Sequence, residues 1–120
     1  MKDYDEDEWL TRYLFKNYSH LLSRVELQAR RVLFHRAKAE GCPTDSPVRQ
    51  HHEAEAAKLF AKSSVQKLLV DGPQAFHTAA AQRLLRKRSR AIDLNRCPTC
   101  SRIPRTPKAK QCPWCFARWD

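Results

Sequence analysis

At 120 residues and 42% apolar content, the chain suits one domain, or a domain with a small appendage, that folds around a compact core. No apolar run approaches the roughly 18 residues a membrane span needs, and the opening MKDYDEDE lacks the basic and apolar regions of a signal peptide, so a cytoplasmic protein is expected. The formal net charge of +10 makes the chain strongly basic, and two glycines among many Ala, Leu, Arg, Lys and Gln disfavour a hairpin-rich sheet and favour helices.

Residues 1–8 carry five acids and one lysine, enough to fold back on a basic surface or compete for it. From Trp9, apolar residues recur at Leu10, Leu14, Tyr18, Leu21, Val25, Ala29 and Val32, widened by Phe15, Leu22, Leu33 and Phe34. This spacing of three and four predicts one helix of about 30 residues, roughly 45 Å long, stopped by Gly41 and Cys42-Pro43. Ser46-Pro47 reads as the N-cap and first residue of a second helix, with Ala56, Leu59, Phe60, Leu68 and Leu69 on its apolar side and Asp71-Gly72 at its end. Pro73 opens a third that turns Phe76, Ala80, Leu84 and Leu85 inward, presents Arg83, Arg86, Lys87 and Arg90 elsewhere, and fades near Asp93. No internal repeat or low-complexity tract is visible.

Four of the five cysteines then arrive as Cys97-Pro98-Thr99-Cys100 and Cys112-Pro113-Trp114-Cys115, separated by eleven residues. A C-x-x-C turn brings two sulfurs to the separation that one tetrahedron requires, and two such turns complete the four-ligand shell of zinc with no position open for catalysis. In a reducing compartment, paired C-x-x-C thiols are metal ligands or redox groups more often than structural disulfides. Thioredoxin-like redox chemistry requires a strand-to-helix context that this proline-studded tail lacks. Iron would use the same four ligands; the short loop favours one zinc per chain. The intervening SRIPRTPKAKQ is long enough to leave one turn as a short strand, reverse near Thr106-Pro107 and return to the other as a hairpin.

Residues 97–119 resemble the short zinc-ribbon modules that bacteria and others append to larger proteins, matching at both C-P-x-C pairs, Pro107 and Ala109. The resemblance implies the four cysteines as ligands. It departs at Ser101 and Phe116, where such modules often carry glycine after each second cysteine. The R-T-P-x-A-x-Q-C-x-x-C tail is also similar to the end of small bacterial proteins with helical front halves, a similarity that brings no activity with it. The expected class is therefore mainly α, with an acidic segment over 1–8, an independent three-helix body over 9–93 and a small zinc-ribbon hairpin over 94–120.

Other reactive side chains have plainer readings. Cys42 lies far from the pairs and reads as a free thiol. His51-His52-Glu53 lacks H-E-x-x-H spacing, and adjacent helical histidines point about 100° apart, so a solvated helix start is expected. His20, His35 and His77 stand singly, with packing or exposure as their default. No Ser-His-Asp set or glycine-rich phosphate loop is present, and the chain is expected not to be an enzyme.

Residues 72–120 hold eleven bases and two acids, a net +9. Arg83, Arg86, Lys87, Arg88, Arg90 and Arg96 run on into Arg102, Arg105, Lys108 and Lys110, a candidate track for phosphates; one zinc on four thiolates leaves the chain at +8. Two functions follow: a nucleic-acid-binding or regulatory factor using the basic third helix and the ribbon, or an adaptor whose ribbon docks on a protein. The turn at Asp71-Gly72-Pro73 is by itself weak support for a DNA-reading helix-turn-helix. Trp114, between two ligands, is expected to face a partner, whereas Trp119 is expected to fold over the hairpin and shield the sulfurs.

Overall fold

The structure is a computed structural model, and residues 4–120 are described. Among these the protein is mainly helical, with α1 (Glu6–Asn17), α2 (Arg24–Glu40), α3 (Pro47–Phe60), α4 (Ser63–Leu69) and α5 (Pro73–Lys87), and short 3-10 turns at Ser19–Leu21 and Ser89–Ala91. The expected three helices are thus five. The long first helix breaks because Ser23 and Glu26 form a reciprocal capping box: the Ser23 hydroxyl accepts from the Glu26 amide at 3.1 Å, and the Glu26 carboxylate accepts from the Ser23 amide at 2.8 Å. The second breaks after Phe60, where the Gln66 side-chain amide donates to the Phe60 carbonyl at 2.7 Å and α4 restarts from Lys62.

The chain forms two compact units. One is continuous, Leu22–Phe76, and the other joins the chain up to Leu21 with His77–Asp120. In the continuous unit α2 packs mainly on α3 and also on α4, burying Leu22, Ala29, Val32 and Ala39 with Ala56, Val65, Leu69 and Phe76. Here His52 departs from the solvated start expected of α3, since its Nδ1 meets Nδ1 of the buried His35 at 2.9 Å, while His51 stays exposed. Cys42 is a free thiol whose Sγ donates to the Lys38 carbonyl at 3.3 Å.

The discontinuous unit carries the cysteines. Asp5 caps α1 by accepting from the Glu8 amide at 3.1 Å, and the helix buries Tyr13, Leu14 and Phe15, with Tyr18 just beyond its end. α5 contributes Ala80, Ala81 and Leu84 to this core, and His77 meets the Phe15 ring edge-on with centroids 5.1 Å apart. The carbonyl of Asp93 accepts from the hydroxyls of both Tyr13 and Tyr18, and the Tyr18 oxygen in turn accepts from the Asp93 amide at 2.8 Å. α1 is thereby stitched to the strand-less segment that leads into the cysteines.

Candidate metal centre

Each C-P-x-C pair closes the same turn. The amide of Cys97 donates to the Arg102 carbonyl and that of Cys112 to the Ala117 carbonyl, both at 2.9 Å. The Ser101 amide returns to the Cys97 carbonyl at 2.8 Å, as the Phe116 amide does to Cys112 at 3.0 Å. Amides of Thr99 and Cys100 point at the Cys97 sulfur (3.4 and 3.5 Å), and those of Trp114 and Cys115 at the Cys112 sulfur (3.3 and 3.4 Å). The two knuckles are near copies, each with its first sulfur buried and its second more open.

Both glycine-less positions pay in backbone conformation, with φ +64° at Ser101 and +63° at Phe116. The Phe116 ring, 68% exposed, has little packing to offset that left-handed turn. Strain of about 1–2 kcal/mol set against glycine's extra entropy of about 0.5–1 kcal/mol leaves a net gain for Phe116→Gly. That variant should melt higher than the parent by roughly 0.5–1 kcal/mol in thermal unfolding followed by circular dichroism; an unchanged or lower midpoint would show that the phenyl ring contributes more than the turn costs.

The sulfurs of Cys97 and Cys115 lie 3.6 Å apart and those of Cys100 and Cys112 3.5 Å, all four being mutually within 4.8 Å. Four sulfurs placed tetrahedrally at the zinc–thiolate distance would be separated by about 3.8 Å, so the cluster can hold one metal ion with little adjustment. Burial raises the Cys97 thiol, but the amides of Cys100 and Thr99 and the Cys115 thiol reverse this and bring it down to about 6. Cys112 is lowered in the same way, its burial outweighed by the Cys115 and Trp114 amides. At Cys100 the Arg102 amide favours the thiolate, yet burial and the neighbouring Cys112, Cys97 and Cys115 prevail and push it up to about 11; Cys115 is raised similarly against the pull of the Ala117 amide. Within each knuckle the amides thus favour the thiolate at the first cysteine, while the neighbouring sulfurs and burial disfavour it at the second.

No strand forms among the described residues, and the hairpin expected between the knuckles is absent there. A single antiparallel bridge, Gln111 with Arg118, closes across the second knuckle from either side and is followed outward by the Trp119 amide on the Lys110 carbonyl at 2.9 Å. The loop between the knuckles is held elsewhere because Pro104 and Pro107 lack amide donors for a ladder. Ile103 and Pro104 are fully buried, and the Ile103 amide donates to the Tyr4 hydroxyl at 3.1 Å. Asn95 donates its side-chain amide to the carbonyls of Thr106 and Ala109 at 3.1 and 2.9 Å, and Asn17 donates to the Arg105 carbonyl at 3.0 Å.

Trp114 does not stand free in solvent. Its ring meets Tyr4 and Trp9 edge-on, each at 5.1 Å between centroids, and the Arg102 guanidinium lies over both Tyr4 (5.3 Å) and Trp114 (5.6 Å). Trp119 is half-buried beside Lys110, Gln111 and Arg118. Of the predicted phosphate track, Arg83 donates to the Leu21 carbonyl at 3.2 Å, and Arg96 pairs with Glu6 at 2.7 Å, holding that carboxyl below its usual range. The acidic opening thus folds back through Glu6. Arg86, Lys87, Arg88, Arg90, Arg105, Lys108 and Lys110 are exposed, on the end of α5, the turn after it and the inter-knuckle loop. Sequence reasoning passed over Tyr4, Tyr13, Asn17 and Asn95, whose single polar atoms carry no periodic signal. Compared with known families, curated proteins and solved structures, the chain gives no match to any of them.

Proposed function

We propose that the protein binds one zinc ion through Cys97, Cys100, Cys112 and Cys115 and serves, without catalysis, as a nucleic-acid-binding factor. Zinc is favoured over other ions because four thiolates in a closed tetrahedron suit a structural zinc site. The observation that carries the nucleic-acid reading is the joining in one compact unit of the two knuckles and the exposed bases Arg86, Lys87, Arg90, Arg105, Lys108 and Lys110. Only Asp93 and Asp120 are acidic within His77–Asp120. Phosphates neutralised by such bases release counterions, so affinity should fall steeply as salt rises.

Zinc-loaded protein titrated against labelled single-stranded and duplex oligonucleotides, between 50 and 200 mM salt, tests this reading. The expected result is a linear fall of log affinity with log salt, by roughly 0.7 to 0.9 per phosphate contacted. Absence of binding at 50 mM salt would overturn it and favour the adaptor alternative, for which the exposed Phe116 on the second knuckle is the available docking side chain.

A further inference from the structure

Within the discontinuous unit, a cavity of about 330 Å³ opens between α1 and the inter-knuckle loop, lined by Trp9, Arg12, Tyr13, Lys16, Pro104 and Arg105. The helix supplies one face at the spacing i, i+3, i+4, i+7, and the loop supplies the opposite wall. That wall is held in place: Pro104 is buried, and Asn17, one residue past Lys16, clamps the Arg105 carbonyl at 3.0 Å. The floor is Tyr13, buried and tied through its hydroxyl to Asp93 and Asn95. The backbone of the loop wall and the Tyr13 side chain are therefore held in place.

Its chemistry is one-sided. Arg12, Lys16 and Arg105 are all exposed cations, and no acid among the described residues lines the cavity. Lys16 and Arg105 form no ion pair among the described residues, and the Arg12–Glu8 pair lies on the surface, 59% and 51% exposed, where such pairs contribute little. Beside the cations stand a half-buried indole, Trp9, with the Arg12 guanidinium 5.8 Å over its ring, and the apolar Pro104. An indole and a proline lining the same cavity as three cations fit a ligand that is aromatic at one end and anionic at the other. The volume sits at the small end of ligand sites, the scale of a single nucleotide.

We infer that this cavity holds one unpaired nucleotide of a single strand, its base against Trp9 and Pro104 and its phosphate between Lys16 and Arg105. The inference rests on the nucleic-acid reading and narrows it from a charged surface to a base-accepting site. A duplex keeps its bases stacked inside, whereas a single strand can place one in such a cavity and gain by stacking on the aromatic ring.

The test uses full-length zinc-loaded protein and labelled ten-nucleotide strands: oligothymidine with deoxyribose, its ribose counterpart, and an abasic deoxyribose backbone. Removing the bases should weaken binding about 5- to 100-fold, the range for loss of base–aromatic stacking. K16A/R105A should weaken oligothymidine binding at least tenfold, while K58A/K67A, which removes the same charge from exposed positions of α3 and α4, should change it less than threefold. The better of the two sugar arms identifies the strand as DNA or RNA. If the abasic strand binds as tightly as oligothymidine, or if the two double variants weaken binding equally, the cavity is not a nucleotide site, although nucleic-acid binding stands. If no strand binds at 50 mM salt, both readings fall together.

Discussion

Removing the metal, or replacing Cys97 by Ser, is expected to unfold α1 along with the knuckles. Structural zinc carries an apparent free energy of about 10–16 kcal/mol at neutral pH, as much as the whole stability of an ordinary domain. The loop that buries Ile103 and Pro104 is anchored at both ends by cysteine turns, and it is this loop that Tyr4 and Asn17 hold. A helix of 12 residues does not persist alone in water. Hydrogen exchange after chelation should show residues 6–17 and 97–119 losing protection together, while α2 and α3 keep theirs. Acid should act in the same direction, since thiolates that ligate metal are reprotonated as pH falls. If residues 6–17 remain protected in metal-free protein, α1 has a core that does not depend on the cysteines.

Trp114→Ala should have the next largest effect, about 2–4 kcal/mol, somewhat below the cost of deleting a fully buried tryptophan because the ring is half-buried. The substitution removes the aromatic surface between Tyr4 and Trp9 and the ring beneath Arg102, so its loss should be felt at the start of α1. The sulfurs are positioned by backbone amides that alanine retains, so one metal per chain should still be found. Thermal melting together with elemental analysis reads both quantities. A variant that melts like the parent would return Trp114 to solvent, and one that loses its metal would make the indole part of the metal shell.

The helical class, the end of the second predicted helix near Gly72, the inward residues Phe76, Ala80 and Leu84, and the cysteine cluster were all legible in the sequence, because each rests on local chemistry. Leu10 to Val32 read as one stripe because periodicity ignores a break whose two sides stay in phase. The break was nevertheless written in Ser23-x-x-Glu26, a two-residue signal weaker to the eye than seven apolar positions. The composition of the cysteine-bearing unit was not legible. It depends on Tyr13 with Asp93, Tyr4 with Ile103 and Glu6 with Arg96, pairs separated by 80, 99 and 90 residues. Nothing in a local window encodes such partners.

Those separations also set an order of events during synthesis. At about 5–20 residues per second, Tyr4 leaves the peptidyl-transferase centre some 5–20 s before Ile103 is added. Throughout that interval α1 is too short to hold itself, and its Trp9, Tyr13 and Phe15 have neither loop nor knuckle to cover them. Leu22–Phe76, by contrast, is contiguous and is complete earlier. On the proposed metal reading, the four ligands are complete only once Cys115 has been added, well after the helical middle, and chains made without metal would carry a finished Leu22–Phe76 unit beside an unfinished α1 and knuckle pair that depend on each other.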